Sequence, residues 1–235
     1  MSQHVDRYEL KFIFDEAKLS QAMHWLHAHT SFRYSFPIRK VNSLYFDDIS
    51  YQSVRDNLAG IAHRKKTRLR WYGDTSSGEI DGLVLEFKIK NGRLGHKKTL
   101  PLNITDKFLA TKVADISRLV ESSLSSVRSE AKYSPLVFKD YLIPTLLVEY
   151  AREYYEDNHG VRITIDSTIT FRSPIASANV SGGLLSAYPH YIMEIKFPIE
   201  MKAYVSELLR PLHFTPKRHS KYLAGLSCFG IANYI

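Results

Sequence analysis

Residues 64–72 read Arg64-Lys65-Lys66-Thr67-Arg68-Leu69-Arg70-Trp71-Tyr72. Side chains alternate across a β-strand, so residues of one parity share a face. Leu69 and Trp71 lie on the odd face and give it an apolar character. The even face carries four successive cations, which are Arg64, Lys66, Arg68 and Arg70. The stretch therefore predicts a strand with one apolar face and one cationic face.

Three further segments show the same division into an apolar and a charged face: Leu83–Lys90, Val161–Asp166 and His190–Phe197. Two of them contain a Glu-x-Lys pair, Glu86 with Lys88 and Glu194 with Lys196. An ordinary antiparallel sheet with one solvated face gives a similar pattern, and its cross-strand ion pairs would contribute little to stability. Arginine, however, matches the geometry of phosphate oxygens. The repeated pattern therefore favours a curled sheet whose charged faces line a tunnel.

This hypothesis makes a geometric prediction about two sets of side chains. The first set should face one common cavity: Arg68, Arg70, Lys88, Arg162 and Glu194. The second set should point away from it: Leu85, Phe87, Ile163 and Ile195.

Length and composition narrow the possible domain organisation, partners and location of the protein. The chain has 235 residues, 44% of them hydrophobic, and no Pro/Gly/Ser-rich linker divides it, so we expect one domain over residues 1–235. The net charge of +8 and the pI near 9.4 indicate an anionic partner. Cys228 is the only cysteine, and no apolar run reaches the roughly 20 residues of a membrane span. We therefore expect a cytoplasmic location, with any membrane role requiring a partner protein.

The remaining periodicity predicts more strands than helices. Residues 7–14 alternate as a strand, and a helix with Asp15 as its N-cap follows. The pattern becomes helical again from about Thr105 to Glu130 and near the C-terminus. Further strand-like segments are Val41–Phe46, Gly95–Leu100 and Pro144–Arg152. Strands thus recur in two groups separated by long connections, which predicts an α+β fold rather than a βαβ series.

Several short motifs carry a family resemblance along nearly the whole chain. They are Arg7-Tyr8-Glu9-Leu10-Lys11-Phe12, Ser43-Leu44-Tyr45-Phe46-Asp47, Lys66-Thr67-Arg68-Leu69-Arg70-Trp71-Tyr72, Leu85-Glu86-Phe87-Lys88, Val148-Glu149-Tyr150-Ala151-Arg152, Arg162-Ile163-Thr164-Ile165-Asp166, Met193-Glu194-Ile195-Lys196 and Ser220-Lys221-Tyr222. In this order they resemble the VTC domain, a polyphosphate polymerase domain among the triphosphate tunnel metalloenzymes, or CYTH-like proteins. The resemblance implies an antiparallel β-barrel of about eight strands with flanking helices and charged faces inward.

The resemblance also implies roles for individual residues. Glu194 matches the main ligand for Mn²⁺ or Mg²⁺, and Glu9 matches a carboxylate that matters more in the hydrolytic relatives. Eight cations match phosphate-binding positions: Lys11, Arg68, Arg70, Lys88, Arg152, Arg162, Lys196 and Lys221. Of all these residues, four would carry catalysis: Arg68, Arg70, Lys88 and Glu194. The segment His96-Lys97-Lys98 matches no family strand clearly, so its roles stay open.

The function that follows is transfer of the terminal phosphate of ATP to a growing polyphosphate chain. If water replaces the acceptor, the same site is a metal-dependent triphosphatase. A module that binds polyphosphate without catalysis is a further alternative. Nucleic-acid binding explains the net charge but not the carboxylates on the cationic faces, which would repel a phosphate backbone. The sequence leaves the oligomeric state open.

Overall fold

The computed structural model describes residues 7–28, 31–75, 77–92, 94–104, 108–125, 138, 141–175 and 177–232. Within these ranges the chain forms nine strands: β1 (Arg7–Phe14), β2 (Arg33–Asp47), β3 (His63–Tyr72), β4 (Asp81–Asn91), β5 (Leu94–Pro101), β6 (Ile143–Glu156), β7 (Arg162–Ser173), β8 (Leu184–Ala187) and β9 (Tyr191–Pro198). The same ranges contain five α-helices: α1 (Glu16–Ala28), α2 (Gln52–Leu58), α3 (Val113–Ser125), α4 (Lys202–Leu209) and α5 (Lys221–Cys228). A 3₁₀ turn at Ile199–Met201 precedes α4.

The strand order is β1-β9-β7-β6-β2-β3-β4-β5, with β8 paired to β7. The ladders β1–β9, β7–β9, β2–β3, β3–β4 and β4–β5 are antiparallel. This confirms the predicted α+β class with an antiparallel sheet of about eight strands and flanking helices. Among the described residues the order is a path with two ends, so strand pairing does not close it strictly into a barrel.

The chain divides into two compact units. Unit 1 comprises residues 1–40, 150–169 and 187–220. Its core packs α1 and α4 with the apolar faces of β1, β7 and β9, and buries Phe12, Trp25, Ile163, Ile195 and Val205. The indole nitrogen of Trp25 donates to the carbonyl of Leu208 at 3.1 Å, which ties α1 to the end of α4.

Unit 2 comprises residues 41–149, 170–186 and 221–235. Its core packs α3 with the apolar faces of β2, β3 and β4. The faces agree with the parity argument, because Leu69, Trp71, Leu85 and Phe87 are completely buried. The prediction of one domain over the whole chain stays a prediction.

Sequence periodicity located most elements and missed a few. Asp15 caps α1 as expected, since its Oδ1 accepts a hydrogen bond from the backbone N–H of Lys18 at 2.8 Å. Of the helix expected over residues 105–130, residues 113–125 are observed as α3. Residues 109–112 are turn or irregular, and positions 105–107 and 126–130 lie outside the described residues. The periodicity did not indicate α2, β8 or the first eight residues of β2. In the described ranges no helix combines the length and the apolar character that crossing a membrane requires.

Candidate functional site

Strand register in unit 2 aligns three lysines in one row. Lys66 on β3 lies opposite Lys88 on β4, which lies opposite Lys97 on β5. Neighbouring strands are about 4.7–4.9 Å apart, and like charges directly opposite one another destabilise a sheet. An anion bound along this row would relieve the repulsion. The name cation face is used below for the following residues: Lys66, Arg68, Arg70, Glu86, Lys88 and Lys97.

Glu86 is the buried carboxylate of the cation face. Its Oε2 accepts hydrogen bonds from Nε and Nη2 of Arg68 at 2.8 and 2.6 Å, and its Oε1 accepts one from Nζ of Lys97 at 2.8 Å. Burial alone would raise the pKa of Glu86, but Arg68, Lys97 and Arg70 lower it to about 2. The carboxylate is therefore ionised at neutral pH and fixes the positions of two cations.

Arg70 differs from Arg68 in how its guanidinium is held. Its Cζ lies 5.5 Å from the ring centre of Tyr72. Its Nε is buried and has no hydrogen-bond partner among the described residues. Most buried donors in folded proteins have a partner, so Arg70 is less firmly held by hydrogen bonds than Arg68.

An aromatic wall supports the cation face within unit 2. The rings of Tyr45 and Tyr222 stack at 4.8 Å, and Nη1 of Arg68 donates to the hydroxyl of Tyr45 at 3.1 Å. The hydroxyl of Tyr222 donates to Oδ2 of Asp47 at 2.9 Å. Burial raises the pKa of Asp47. Lys221 begins α5 directly before Tyr222 and is half-buried.

A second cluster lies in unit 1, where the charges of the two signs alternate. Register places Lys11 opposite Glu194, and places Lys196 opposite both Glu9 and Arg162. The name Glu194 cluster is used below for the following residues: Glu9, Lys11, Arg152, Asp166, Glu194 and Lys196.

Lys11 bridges the two glutamates of the Glu194 cluster. Its Nζ lies 3.0 Å from Oε1 of Glu9 and 3.2 Å from Oε1 of Glu194. Burial alone would lower the pKa of Lys11, but Glu194 and Glu9 raise it above its ordinary value. Oε2 of Glu194 lies 3.1 Å from Nζ of Lys196 and 3.9 Å from Nη2 of Arg152. Each oxygen of Glu194 therefore has a cationic neighbour.

Arg152 is held by Asp166 through two hydrogen bonds. Nη2 of Arg152 donates to Oδ2 of Asp166 at 2.7 Å, and its Nε donates to Oδ1. Burial would lower the pKa of Arg152, and the carboxylate of Asp166 raises it well above the ordinary value. A guanidinium fixed in this way presents a rigid positive charge toward Glu194.

A divalent metal in the Glu194 cluster would depend on its carboxylate oxygens. Among the described residues no three side chains of His, Cys, Asp or Glu cluster as metal ligands. Two carboxylates, Glu9 and Glu194, nevertheless converge on one cation, the ammonium of Lys11. Mg²⁺ and similar ions are commonly held by one or two carboxylates together with phosphate oxygens and water. The two carboxylates therefore fit such an ion. It would bind at the position that the ammonium of Lys11 occupies.

The predicted site residues fall into the two clusters with two exceptions. Arg162 is half-exposed and its Nε pairs with Oε1 of Glu156 at 2.9 Å. Lys221 lies at the start of α5. Lys88 belongs to the cation face but is exposed. The prediction that residues from both units face one common cavity stays a prediction.

Sequence reasoning gave no site role to four members of these clusters. It placed Lys66 and Glu86 only on charged strand faces, and it missed Lys97 and Asp166. Lys97 was detectable, because the hairpin signal Asn91-Gly92 places it on the same face as Glu86 and Lys88. Asp166 was recognised only as part of a motif. Its pairing with Arg152 depends on the placement of β6 beside β7, which local sequence does not encode.

Comparison with known proteins gives one family match. The family described as the VTC domain matches residues 6–229. Vacuolar transporter chaperone complex subunit 2 of Saccharomyces cerevisiae is 23% identical over 233 residues, covering 80% of this chain and 28% of that protein. The chain thus spans less than a third of that relative.

Solved structures share the fold at low sequence identity. HpAC1 from Hippeastrum, described as having a dominant triphosphatase activity, has a TM-score of 0.53 and 14% identity, covering 95% of this chain and 96% of that one. The PH1819 protein from Pyrococcus horikoshii OT3 has a TM-score of 0.51 and 13% identity, covering 95% of this chain and 99% of that one. At these identities the likeness concerns the fold alone.

Proposed function

Because the chain belongs to the VTC domain family, we propose that it transfers the terminal phosphate of ATP to a growing polyphosphate chain, with Mn²⁺ or Mg²⁺ as cofactor. The observation that carries this proposal is the cation face. Its row of Lys66, Lys88 and Lys97 crosses three strands and presents several positive charges in succession. A chain of linked phosphates can contact such a row along its length, whereas a single phosphate cannot.

The arginines of the cation face would have different roles. Arg68 is fixed by Glu86 and Tyr45, so it would supply a preorganised positive charge. Arg70 is only partly buried and its guanidinium lies over the ring of Tyr72, so its terminal N–H groups would donate directly to a phosphate oxygen. Preorganised donors of this kind stabilise charge that develops during phosphoryl transfer, which depends mainly on positioning and charge neutralisation.

The Glu194 cluster would hold the metal. Glu194 and Glu9 supply carboxylate oxygens, and Lys11, Lys196 and Arg152 are cations for the phosphates. A bound divalent ion would neutralise phosphate oxygens and stabilise the leaving group. Within this cluster the cations and carboxylates pair with one another. A metal–phosphate complex would replace both kinds of partner at once.

Two other functions use the same residues. A triphosphatase would use water as the acceptor, and the triphosphatase activity described for HpAC1 on the same fold supports this alternative. A binding module without catalysis is favoured by one observation, namely that cations already neighbour each oxygen of Glu194. The relative from yeast is a subunit of a complex, so we also propose that the chain works with partner proteins, on the cytoplasmic side of a membrane.

The test is incubation of the pure protein with ATP and Mn²⁺, followed by separation of the products. ADP with acid-insoluble polyphosphate is the expected result. ADP with free phosphate would replace the proposal by a triphosphatase. Absence of ATP turnover, together with a melting temperature that rises with tripolyphosphate, would leave only the binding module.

A further inference from the structure

Three oxygens of unit 1 converge on the ammonium of Lys11. Oε1 of Glu9 lies 3.0 Å and Oε1 of Glu194 lies 3.2 Å from Nζ. The backbone carbonyl oxygen of His219 accepts a hydrogen bond from the same Nζ at 3.4 Å. Two carboxylates and one main-chain carbonyl form the kind of oxygen set that binds hard divalent cations. These three groups are called the oxygen cage below.

The carbonyl of His219 is held near Lys11 by the backbone. The N–H of Lys217 donates to the carbonyl of Lys11 at 2.8 Å, so the segment before α5 is attached to β1 at this residue. Register attaches the other side of β1 to β9, with Lys11 opposite Glu194. The oxygen cage is therefore built from three separate chain segments that strand pairing and this hydrogen bond bring together.

A metal ion and the ammonium of Lys11 cannot both occupy the cage. Metal–oxygen distances are about 2.0–2.6 Å, shorter than the ammonium contacts, and two cations at one point repel strongly in a half-buried site. Glu194 already neighbours Lys196 and Arg152 through its other oxygen. A divalent ion would add to this positive charge unless Lys11 left the cage.

We propose that Lys11 is a built-in competitor of the metal, which loads by displacing the Lys11 ammonium from the cage of Glu9, Glu194 and the carbonyl of His219. This inference rests on the metal requirement of the proposed function. The displaced ammonium pairs with a phosphate oxygen of the incoming ligand. Metal and polyphosphate therefore bind cooperatively, because the anion draws away the cation that blocks the metal. Linkage makes the enhancement equal in both directions.

The experiment measures Mn²⁺ binding in the absence of nucleotide and phosphate, by the electron paramagnetic resonance signal of free Mn²⁺. Lys11→Met removes the competing charge while keeping an unbranched side chain, and Lys11→Gln is a second variant if the first does not fold. Both should bind Mn²⁺ alone more tightly than the wild type, by roughly tenfold. The factor by which tripolyphosphate enhances Mn²⁺ binding should fall.

Lys196→Met is the matched control, because Lys196 pairs with Oε2 of Glu194, whereas Lys11 pairs with Oε1, the oxygen that belongs to the cage. It should raise the affinity for Mn²⁺ much less than the Lys11 variants do. An equal rise would indicate a general effect of net charge and would overturn the proposal, as would Mn²⁺ affinity at or below that of the wild type in both Lys11 variants. Absence of ATP turnover in the wild-type protein is a separate outcome that ends the proposed function and leaves the Mn²⁺ result standing.

Discussion

Arg152 and Asp166 form an ion pair with two hydrogen bonds, and both side chains are almost completely buried, with 8% and 0% of their surface exposed. Burying two charges is costly, and their mutual attraction offsets that cost only while both are present. The pair therefore makes Arg152 a fixed charge beside Glu194, but it also makes the fold of unit 1 sensitive to the loss of either partner.

Asp166→Asn should lower the free energy of unfolding by about 3–5 kcal/mol, because the buried guanidinium loses its counter-ion. Urea titrations followed by circular dichroism measure this change. Glu156→Gln is the control, since it removes the partner of the half-exposed Arg162. The control substitution should lower the free energy of unfolding by about 0–1 kcal/mol. Equal losses of stability in the two variants would contradict the assignment of a buried ion pair.

Glu194→Gln should abolish metal-dependent turnover while leaving the shape of the side chain almost unchanged. The affinity for tripolyphosphate should hold or rise, because one negative charge is removed from a cluster that contains Lys11, Lys196 and Arg152. Isothermal titration with tripolyphosphate and the ATP assay together check this. Glu207→Gln on α4, an exposed glutamate paired with Arg210, should change neither quantity. Full turnover in Glu194→Gln would remove this residue from the site.

Arg70→Ala should reduce the rise in melting temperature that tripolyphosphate causes. A ligand that binds only the folded state stabilises it by about 2.7 kcal/mol at a hundredfold excess over its Kd, and Arg70 would supply part of that affinity. Without ligand the variant should lose little stability, because it also removes a charge that repels its neighbours.

Lys65→Ala is the control for net charge, since Lys65 lies on the opposite face of the same strand. It should leave the shift caused by tripolyphosphate unchanged. If chloride at matched ionic strength raised the melting temperature of the wild type as much as tripolyphosphate does, screening of surface charge would explain the effect and the anion site would have to be abandoned.

Glu86 should make the stability of the protein sensitive to acid. Its pKa falls from 4.5 to about 2 on folding, so the folded state favours the ionised form. The resulting contribution, about 3 kcal/mol, is complete above pH 4.5 and is lost as the pH falls toward 2. The stability gap between wild type and Glu86→Gln should narrow over this window, as measured by urea titrations at each pH.

The corresponding control is Asp115→Asn, which removes one exposed carboxylate from α3. Its free energy of unfolding should differ little from that of the wild type over the same pH range. Suppose that the difference in free energy of unfolding between the wild type and Glu86→Gln stayed constant from pH 5 to pH 2. The ion pairs with Arg68 and Lys97 would then not favour the ionised form of Glu86.

The fold could be predicted largely from side-chain alternation. Parity assigned Leu69, Trp71, Leu85 and Phe87 to buried faces, and the structure buries all four, because alternation is a local property of any extended chain. Alternation does not predict the exposure of the first half of β2. Tyr34, Phe36 and Ile38 alternate as a buried face would, but all three are exposed.

The candidate site was predictable only in part. Residue types and parity indicated Arg68, Arg70 and Glu194, but their partners depend on which strands are neighbours. Whether Glu194 pairs with Lys11 is set by the antiparallel ladder of β1 and β9, which joins residues 7–14 to residues 191–198. No local pattern encodes a contact over such a separation.

The turn between β4 and β5 carries a consequence for how this protein can diversify. The chain reverses at Gly92, whose φ is +59°, and Asn91 pairs with Leu94. A slip of one residue in the pairing of β4 with β5 would turn every side chain of β5 to the other face, and His96 and Lys98 would replace Lys97 on the cation face. A residue inserted into the turn itself lengthens the loop and leaves this pairing intact. Homologous proteins should therefore vary in the length of this turn but keep the register of β4 with β5 wherever polyanion binding is under selection.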